Sequence, residues 1–310
     1  MAFPRQVLIT DVGPRDGLQM EARQVPTDEK VALIAGLVRS GLRAIQVASF
    51  VHPLKVPQMA DAEAVIERLP TADGIQYSAL ALNHQGVQRA LKTAIPWIEI
   101  SVSASDAHGR VNAGLPLERV SVEVDRMMSA ALQAGRKVRA SIQCSFGCVD
   151  GEPVPDEQIL QLADLFLGYD IDQLLLADTT GRGTPLEVKR LLRTLLPMAA
   201  DTPVGLHLHD TRGLGLVNAM AGLEMGISHF DTSLGGLGGC PFVPGAAGNI
   251  ATEDTVYLLN TLAIATGIDI YGIACCSRRL SRLLQHPLPG KLYRIESDSE
   301  KGPGCPAPVD

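Results

Sequence analysis

The sequence predicts an α/β fold whose unit count is that of a closed (β/α)₈ barrel. Short β-type runs alternate with longer amphipathic stretches, so consecutive strands run parallel with helices between them. About eight such units fit within roughly 250 residues, the span such a barrel occupies. At 310 residues and 46% hydrophobic content, the chain suits one barrel and is short for two enzyme-sized domains. An open doubly wound sheet uses the same local pattern, and periodicity leaves that alternative open. With only 4% aromatic residues, aliphatic side chains must fill the core.

The strands are expected at Val7–Thr10, Ala44–Val47, Ile75–Leu80, Trp97–Val102, Val138–Gln143, Gln173–Leu176, Val204–Leu208 and His229–Thr232. Each is a short run with apolar or alternating character, bounded by turn residues. Helical periodicity covers Asp28–Ser40, Ala60–Leu69, Leu117–Ala134, Asp156–Leu167, Pro185–Leu196 and Leu214–Met225. Thr184 precedes a first-turn proline and stands three residues before Glu187, the spacing of a capping box. Thr252 opens another helix, with Glu253 and Asp254 where the helix dipole favours carboxylates, and Thr252–Thr266 reads as the last barrel helix. Ile270–Leu284 reads as an added helix covering a barrel end. From His286 proline and glycine thicken, so residues 1–285 are expected to form the barrel with its extra helix and 286–310 a loosely ordered tail.

A net charge of −7 and a pI near 5.5 offer no basic field, which argues against nucleic acid or an anionic membrane as partner. Apolar runs stop well short of the ~20 residues a membrane helix needs. The first residues carry no signal or transit pattern, so the cytoplasm is the expected compartment. The six cysteines are scattered and read as reduced thiols.

Three clusters carry chemistry. His207-Leu208-His209 ends a predicted strand, where residues two apart project to one face, a metal-ligand geometry. Taken alone, the motif equally fits one core histidine and one capping the next helix. D-V-G-P-R-D-G-L-Q, Asp11 to Gln19, follows the first strand and turns sharply at Gly13, Pro14 and Gly17. It presents Arg15 and Asp16 at the same rim if the barrel closes, and an Asp16 oxygen beside two imidazoles suits magnesium, manganese or zinc. Taken alone, the turn is also what a solvated surface pair looks like. The glycine-rich segment Ser233 to Asn249 lacks the dinucleotide spacing. It carries Cys240, a thiol able to act as general acid or base, and Asn249, which offers a carbonyl oxygen to a cation.

These segments resemble the hydroxymethylglutaryl-CoA lyase family. The likeness rests on D-V-G-P-R-D-G-L-Q, S-F-V-H-P-L-K-V-P-Q-M-A-D from Ser49, L-A-D-T-T-G-R-G-T-P from Leu176, H-L-H-D-T-R-G from His207, and the Cys240 loop ending G-N-I-A-T-E-D. It runs in order from about Val7 to about Ile270.

The resemblance implies a TIM barrel that cleaves a 3-hydroxyacyl-CoA into acetyl-CoA and a keto acid, using a divalent cation, Mg²⁺ or Mn²⁺, and no redox cofactor. By motif, Asp16, His207, His209 and Asn249 would hold the metal, Arg15 would stabilise charge on the thioester oxygen, and Cys240 would move a proton. Asp178 matches a polar position near the reacting hydroxyl, as base or as support for other groups. Gln19, Gln46, Ser141 and, in the loop S-A-S-D-A-H-G-R-V-N, Asn112 are the candidate substrate contacts, with Arg110 beside it for the CoA nucleotide. Where the family usually has Glu this chain has Gln46, and where it usually has Tyr it has Ser141, so the acyl group is expected to differ, citramalyl-CoA being one alternative. A condensing acyltransferase and a non-catalytic acyl-CoA binder are the competing readings. Oligomeric state, a dimer for instance, stays open.

Overall fold

The computed structural model describes residues 3–148, 154–239 and 247–295. Eight strands close into one barrel: β1 (Leu8–Asp11), β2 (Ala44–Ser49), β3 (Gln76–Ala81), β4 (Trp97–Ser103), β5 (Lys137–Gln143), β6 (Gln173–Asp178), β7 (Val204–Leu208) and β8 (His229–Thr232). All pairs are parallel, and β1 pairs with both β2 and β8. Closure leaves no edge strand, which excludes the open sheet.

The helices between and after the strands are α1 (Thr27–Arg39), α2 (Ala62–Glu67), α3 (His84–Ala90), α4 (Asp106–Asn112), α5 (Val120–Gln133), α6 (Asp156–Leu167), α7 (Pro185–Ala199), α8 (Gly215–Glu224), α9 (Thr252–Thr261) and α10 (Ile270–Leu284). The capping box at α7 is present, Thr184 accepting from Glu187 N while Glu187 accepts from Thr184 N. Helix α9 ends earlier than its apolar pattern suggests, and Ala263 takes a left-handed φ of 57° just beyond it. Helix α4 occupies a stretch that reads as a loop. Ser105 caps it by accepting from His108 N at 3.1 Å, and seven residues with a central glycine give too few turns for periodicity to show.

Strand alternation divides the side chains. Ile98, Ile100, Val138, Ala140, Leu174, Leu176, Leu206 and Leu208 are fully buried in the hydrophobic core with helix residues such as Leu37, Met127, Phe166 and Leu192. The alternate positions, including Glu99, Ser101, Arg139, Ser141 and His207, are buried polar groups on the barrel's inner face. Helix α10 packs on α1 and α9.

The loosely attached tail expected from His286 does not hold for residues 286–295. Leu288 is fully buried, Gly290 N donates to Gly235 O at 2.6 Å, and Asp254 accepts from Leu292 N at 2.8 Å. Proline and glycine shape a docked segment there because the partners that satisfy its backbone come from the far end of β8 and from α9; residues 296–310 lie outside the description. Cys144, Cys148 and Cys276 are buried thiols. Cys275 is disulfide-bonded, which corrects the reading of six reduced thiols; sequence spacing does not report which sulfurs the fold brings within bonding reach. No described helix is long and apolar enough to cross a membrane.

Candidate active site

One carbonyl organises the first half of the site. Val12 O, just past β1, accepts the backbone N–H groups of Arg15, Asp16 and Gly17 at 3.1, 2.7 and 3.2 Å. Gly13–Gly17 is thereby wound into a π-helical turn. Gly13 must lack a side chain, since a Cβ there would run into Leu234 and lie 2.8 Å from Asp11 Oδ1. The turn presents Arg15 and Asp16 side by side, ion-paired and buried.

The second half comes from β7 and the returning chain at 248–250. His207 and His209 point to one side, with Nε2 atoms 3.2 Å apart and 3.9 and 3.8 Å from Asp16 Oδ2. Asp210 N donates to Gly248 O and Ile250 N to Leu208 O, which lays the return segment along the end of β7. Gly248 has φ 86°, and a Cβ there would collide with the Gly238 backbone, so only glycine suits the crossing. Asn249 is thereby set against the carboxylate: its Nδ2 donates to Asp16 Oδ2 at 2.8 Å and to Leu237 O at 3.1 Å. Its Oδ1 is buried without a partner among the described residues.

The ligand atoms of Asp16, His207 and His209 lie within 4.8 Å of one another. A carboxylate and two imidazoles form a mixed oxygen and nitrogen donor set that fits a divalent cation, and the unpartnered amide oxygen belongs to the side chain hydrogen-bonded to that carboxylate. The orphan is the informative atom, because a buried acceptor left unmatched costs free energy until a donor or cation reaches it. Electrostatics agree. Burial opposes ionisation of Asp16, but Arg15 and the two imidazoles more than offset it and hold the carboxyl well below its usual range. Burial likewise disfavours a charged His207, yet Asp231 and Asp16 raise its pKa.

A cavity of about 500 Å³ opens beside these groups. Arg15, Asp16, Gln19, Asn112, Ser141, His207 and His209 line it, so seven of the sequence-predicted residues converge. Ser101 and Ser141, paired across β4 and β5, both face it. Asn112 donates to Gln143 Oε1 at 3.2 Å, whereas Arg110 ion-pairs with Asp106 on the surface. Three described residues stand outside the lining: Asn249, which reaches Asp16 from the return segment, Gln46 and Asp178. Gln46 is fully buried, its amide donating to Glu99 at 2.6 Å and its carbonyl accepting from Arg15, so its hydrogen bonds go to protein groups rather than to a substrate oxygen. Asp178 accepts from Arg182 N and Gly183 N at 2.9 and 3.1 Å; burial raises its pKa. Gly239 lines the cavity, and Cys240, next in sequence, lies outside the described residues.

Sequence reasoning missed Glu99, Arg139 and Asp231, all nearly inaccessible. A signal was present: each is a charged residue embedded in a β run, in W-I-E-I-S, K-V-R-A-S-I-Q and H-F-D-T. A charge in a buried strand needs a partner of opposite sign.

Comparison with known proteins agrees with this geometry. The HMGL-like family model matches residues 6–279. The chain is 36% identical over 299 residues to a hydroxymethylglutaryl-CoA lyase of Bacillus subtilis, covering 96% of this chain and 100% of the relative. It is 37% identical over 293 residues to the (R)-citramalyl-CoA lyase of Chloroflexus aurantiacus, covering 91% and 92%. The solved HMG-CoA lyase of Acinetobacter baumannii, in complex with coenzyme A and 3-methylmalate, superposes with a TM-score of 0.91 at 35% identity, covering 98% of this chain and 99% of that one. The chain therefore belongs to the HMGL-like family of carbon–carbon lyases.

Proposed function

We propose that the protein cleaves a 3-hydroxy-3-methylacyl-CoA, of which hydroxymethylglutaryl-CoA is the first to test, into acetyl-CoA and a keto acid with Mg²⁺ or Mn²⁺. One observation carries the reading: Arg15 and the four side chains Asp16, His207, His209 and Asn249 converge at the carboxyl ends of β1, β7 and β8, with Arg15, Asp16 and both histidines lining the cavity.

Asp16, His207, His209 and Asn249 are the residues that would hold the cation. When bound, a divalent cation lowers the pKa of a coordinated hydroxyl and orients the substrate acid. The Cys240 thiolate takes the hydroxyl proton as the bond between the hydroxyl-bearing carbon and the thioester's α-carbon breaks, which leaves a carbonyl where the hydroxyl stood and moves the electron pair onto the thioester fragment as an enolate. Arg15 supplies fixed positive charge for that developing oxygen, an oxyanion-hole role in which preorganisation matters more than contact count. We assign Cys240 to protonation of the enolate carbon, yielding acetyl-CoA. Asp178 is assigned to support, because its carboxylate already accepts the 182–183 backbone.

The same protein is the place to test the acyl group. A panel of 3-hydroxyacyl-CoAs is assayed for acetyl-CoA release after chelation and after return of Mg²⁺ or Mn²⁺. Metal-dependent release supports the reading, and full turnover in metal-stripped protein overturns it. A citramalyl-CoA-type substrate is the second reading, supported by the small Ser141 on the cavity wall and by the Chloroflexus relative.

A further inference from the structure

Around Arg15 and the imidazoles lies a set of charges that the assignment above does not use, and one of them, Glu99, also lines the cavity. Glu99 on β4 is 4% exposed, and one of its oxygens, Oε2, meets two neighbours. Gln46 Nε2 donates to it at 2.6 Å, while Arg139 Nη1 ion-pairs with it at 3.4 Å.

Each neighbour leads to a different part of the site. Gln46 Oε1 accepts from Arg15 Nε, and Arg15 Nη1 pairs with Asp16, while the guanidinium also lines the cavity. In the other direction, Arg139 Nη2 pairs with Asp231 Oδ1 at 2.6 Å, and Asp231 Oδ2 faces His207 Nδ1 at 3.3 Å. His207 Nε2 returns to Asp16 at 3.9 Å. Asp16, Arg15, Gln46, Glu99, Arg139, Asp231 and His207 thus close a ring around the barrel interior.

An amide has two unlike ends. With a carboxylate at position 99 the NH₂ end of Gln46 must turn toward it, so the carbonyl end faces Arg15 and fixes the guanidinium. On the other arm, Arg139 is shared between Glu99 and Asp231, and Asp231 is the group that orients His207 and tunes its basicity as a ligand. Buried ion pairs of this kind add little net stability relative to apolar packing, so their value here is geometric. We propose that Glu99 is a positioning residue that couples the cavity-facing guanidinium of Arg15 to the metal-facing imidazole of His207. The proposal rests on the site reading given above.

Two variants test it: Glu99→Gln, and the double exchange Gln46→Glu with Glu99→Gln, which keeps one carboxylate and one amide. The measurements are kcat and KM for acetyl-CoA release, and Mn²⁺ affinity of the free protein by electron paramagnetic resonance titration. Glu99→Gln is expected to lower kcat and Mn²⁺ affinity by about 10-fold or more each, the range of residues behind metal ligands, with KM changed little. In the double exchange, the carboxylate now at position 46 accepts from Arg15 and from the amide now at position 99, so kcat recovers to near wild type while Mn²⁺ affinity stays weakened. A merely structural residue would show no such split. A folded Glu99→Gln with wild-type kcat and Mn²⁺ affinity overturns the proposal, as does a double exchange that binds Mn²⁺ like wild type. If wild type cleaves no acyl-CoA on the panel, the substrate reading fails, and the Mn²⁺ titrations still decide the arm from Glu99 to His207. If Glu99→Gln does not fold, the double exchange alone supplies both readouts.

Discussion

Asn249 faces two ways at once. Its Nδ2 steadies Asp16, and its Oδ1 is buried without a partner among the described residues. Asn249→Ala is therefore expected to weaken Mn²⁺ binding by about 10-fold, with His207→Ala and His209→Ala each costing more, because they remove a ligand nitrogen outright. Titration of the metal-free protein checks the order, and equal affinity across all four proteins would remove Asn249 and the histidines from the cation site. Cys240→Ser carries the complementary expectation: acyl-CoA binding retained and kcat lowered by roughly 10²–10⁴, while Cys144→Ser and Cys148→Ser have smaller effects. Steady-state kinetics with a binding assay on the same preparations separates these. What was legible at this scale is what the chain brings together locally. Arg15 and Asp16 are neighbours, and His207 and His209 share a strand face by period-2 geometry. Gln46, by contrast, was expected against substrate, and its partner Glu99 stands 53 positions away.

Helix α9 shows how an element's end acquires an acid-base role. Glu253 in its first turn is fully buried and accepts from Gly235 N at 3.0 Å. Burial pushes its pKa from an ordinary 4.5 up to about 7. The unfolded chain therefore loses this proton first as pH rises, so the group's contribution falls between about pH 4.5 and 7 and is flat above, a drop of roughly 3 kcal/mol. Glu253→Gln removes the titration. Thermal unfolding at pH 5 and pH 8 is expected to show the variant gaining on wild type only at the higher pH. A difference that does not change with pH would mean the carboxyl titrates normally in the folded state. At α7 the expectation is simpler: Thr184→Ala breaks the capping box and costs about 1 kcal/mol in denaturant unfolding, because Glu187 N loses its acceptor. That cap was readable because it needs only three-residue spacing. Helix α4 was not, because its seven residues make too few turns for periodicity to show.

For the molecule as a whole, the docked segment 286–295 is where the outcome departs furthest from expectation. Leu288 is fully buried against Gly235, in the turn beyond β8, so Leu288→Ala is expected to cost about 2–5 kcal/mol, measurable as a lower midpoint in urea. A surface position would change it by less than about 0.5 kcal/mol. By itself, the sequence determined the eight alternating units, the local turn that presents Arg15 and Asp16, and the two-residue spacing of His207 and His209, because each depends on contacts within a few residues. Closure of the barrel, the meeting of β1, β7 and the returning chain at Asn249, and the ring through Glu99 and Arg139 were decided only by tertiary structure. Strand alternation says that a residue points inward. Which inward residues meet depends on closure, strand register and the bulge between Gln46 and Ala48, since charges taken out of water settle on whichever partners the closed barrel brings to them.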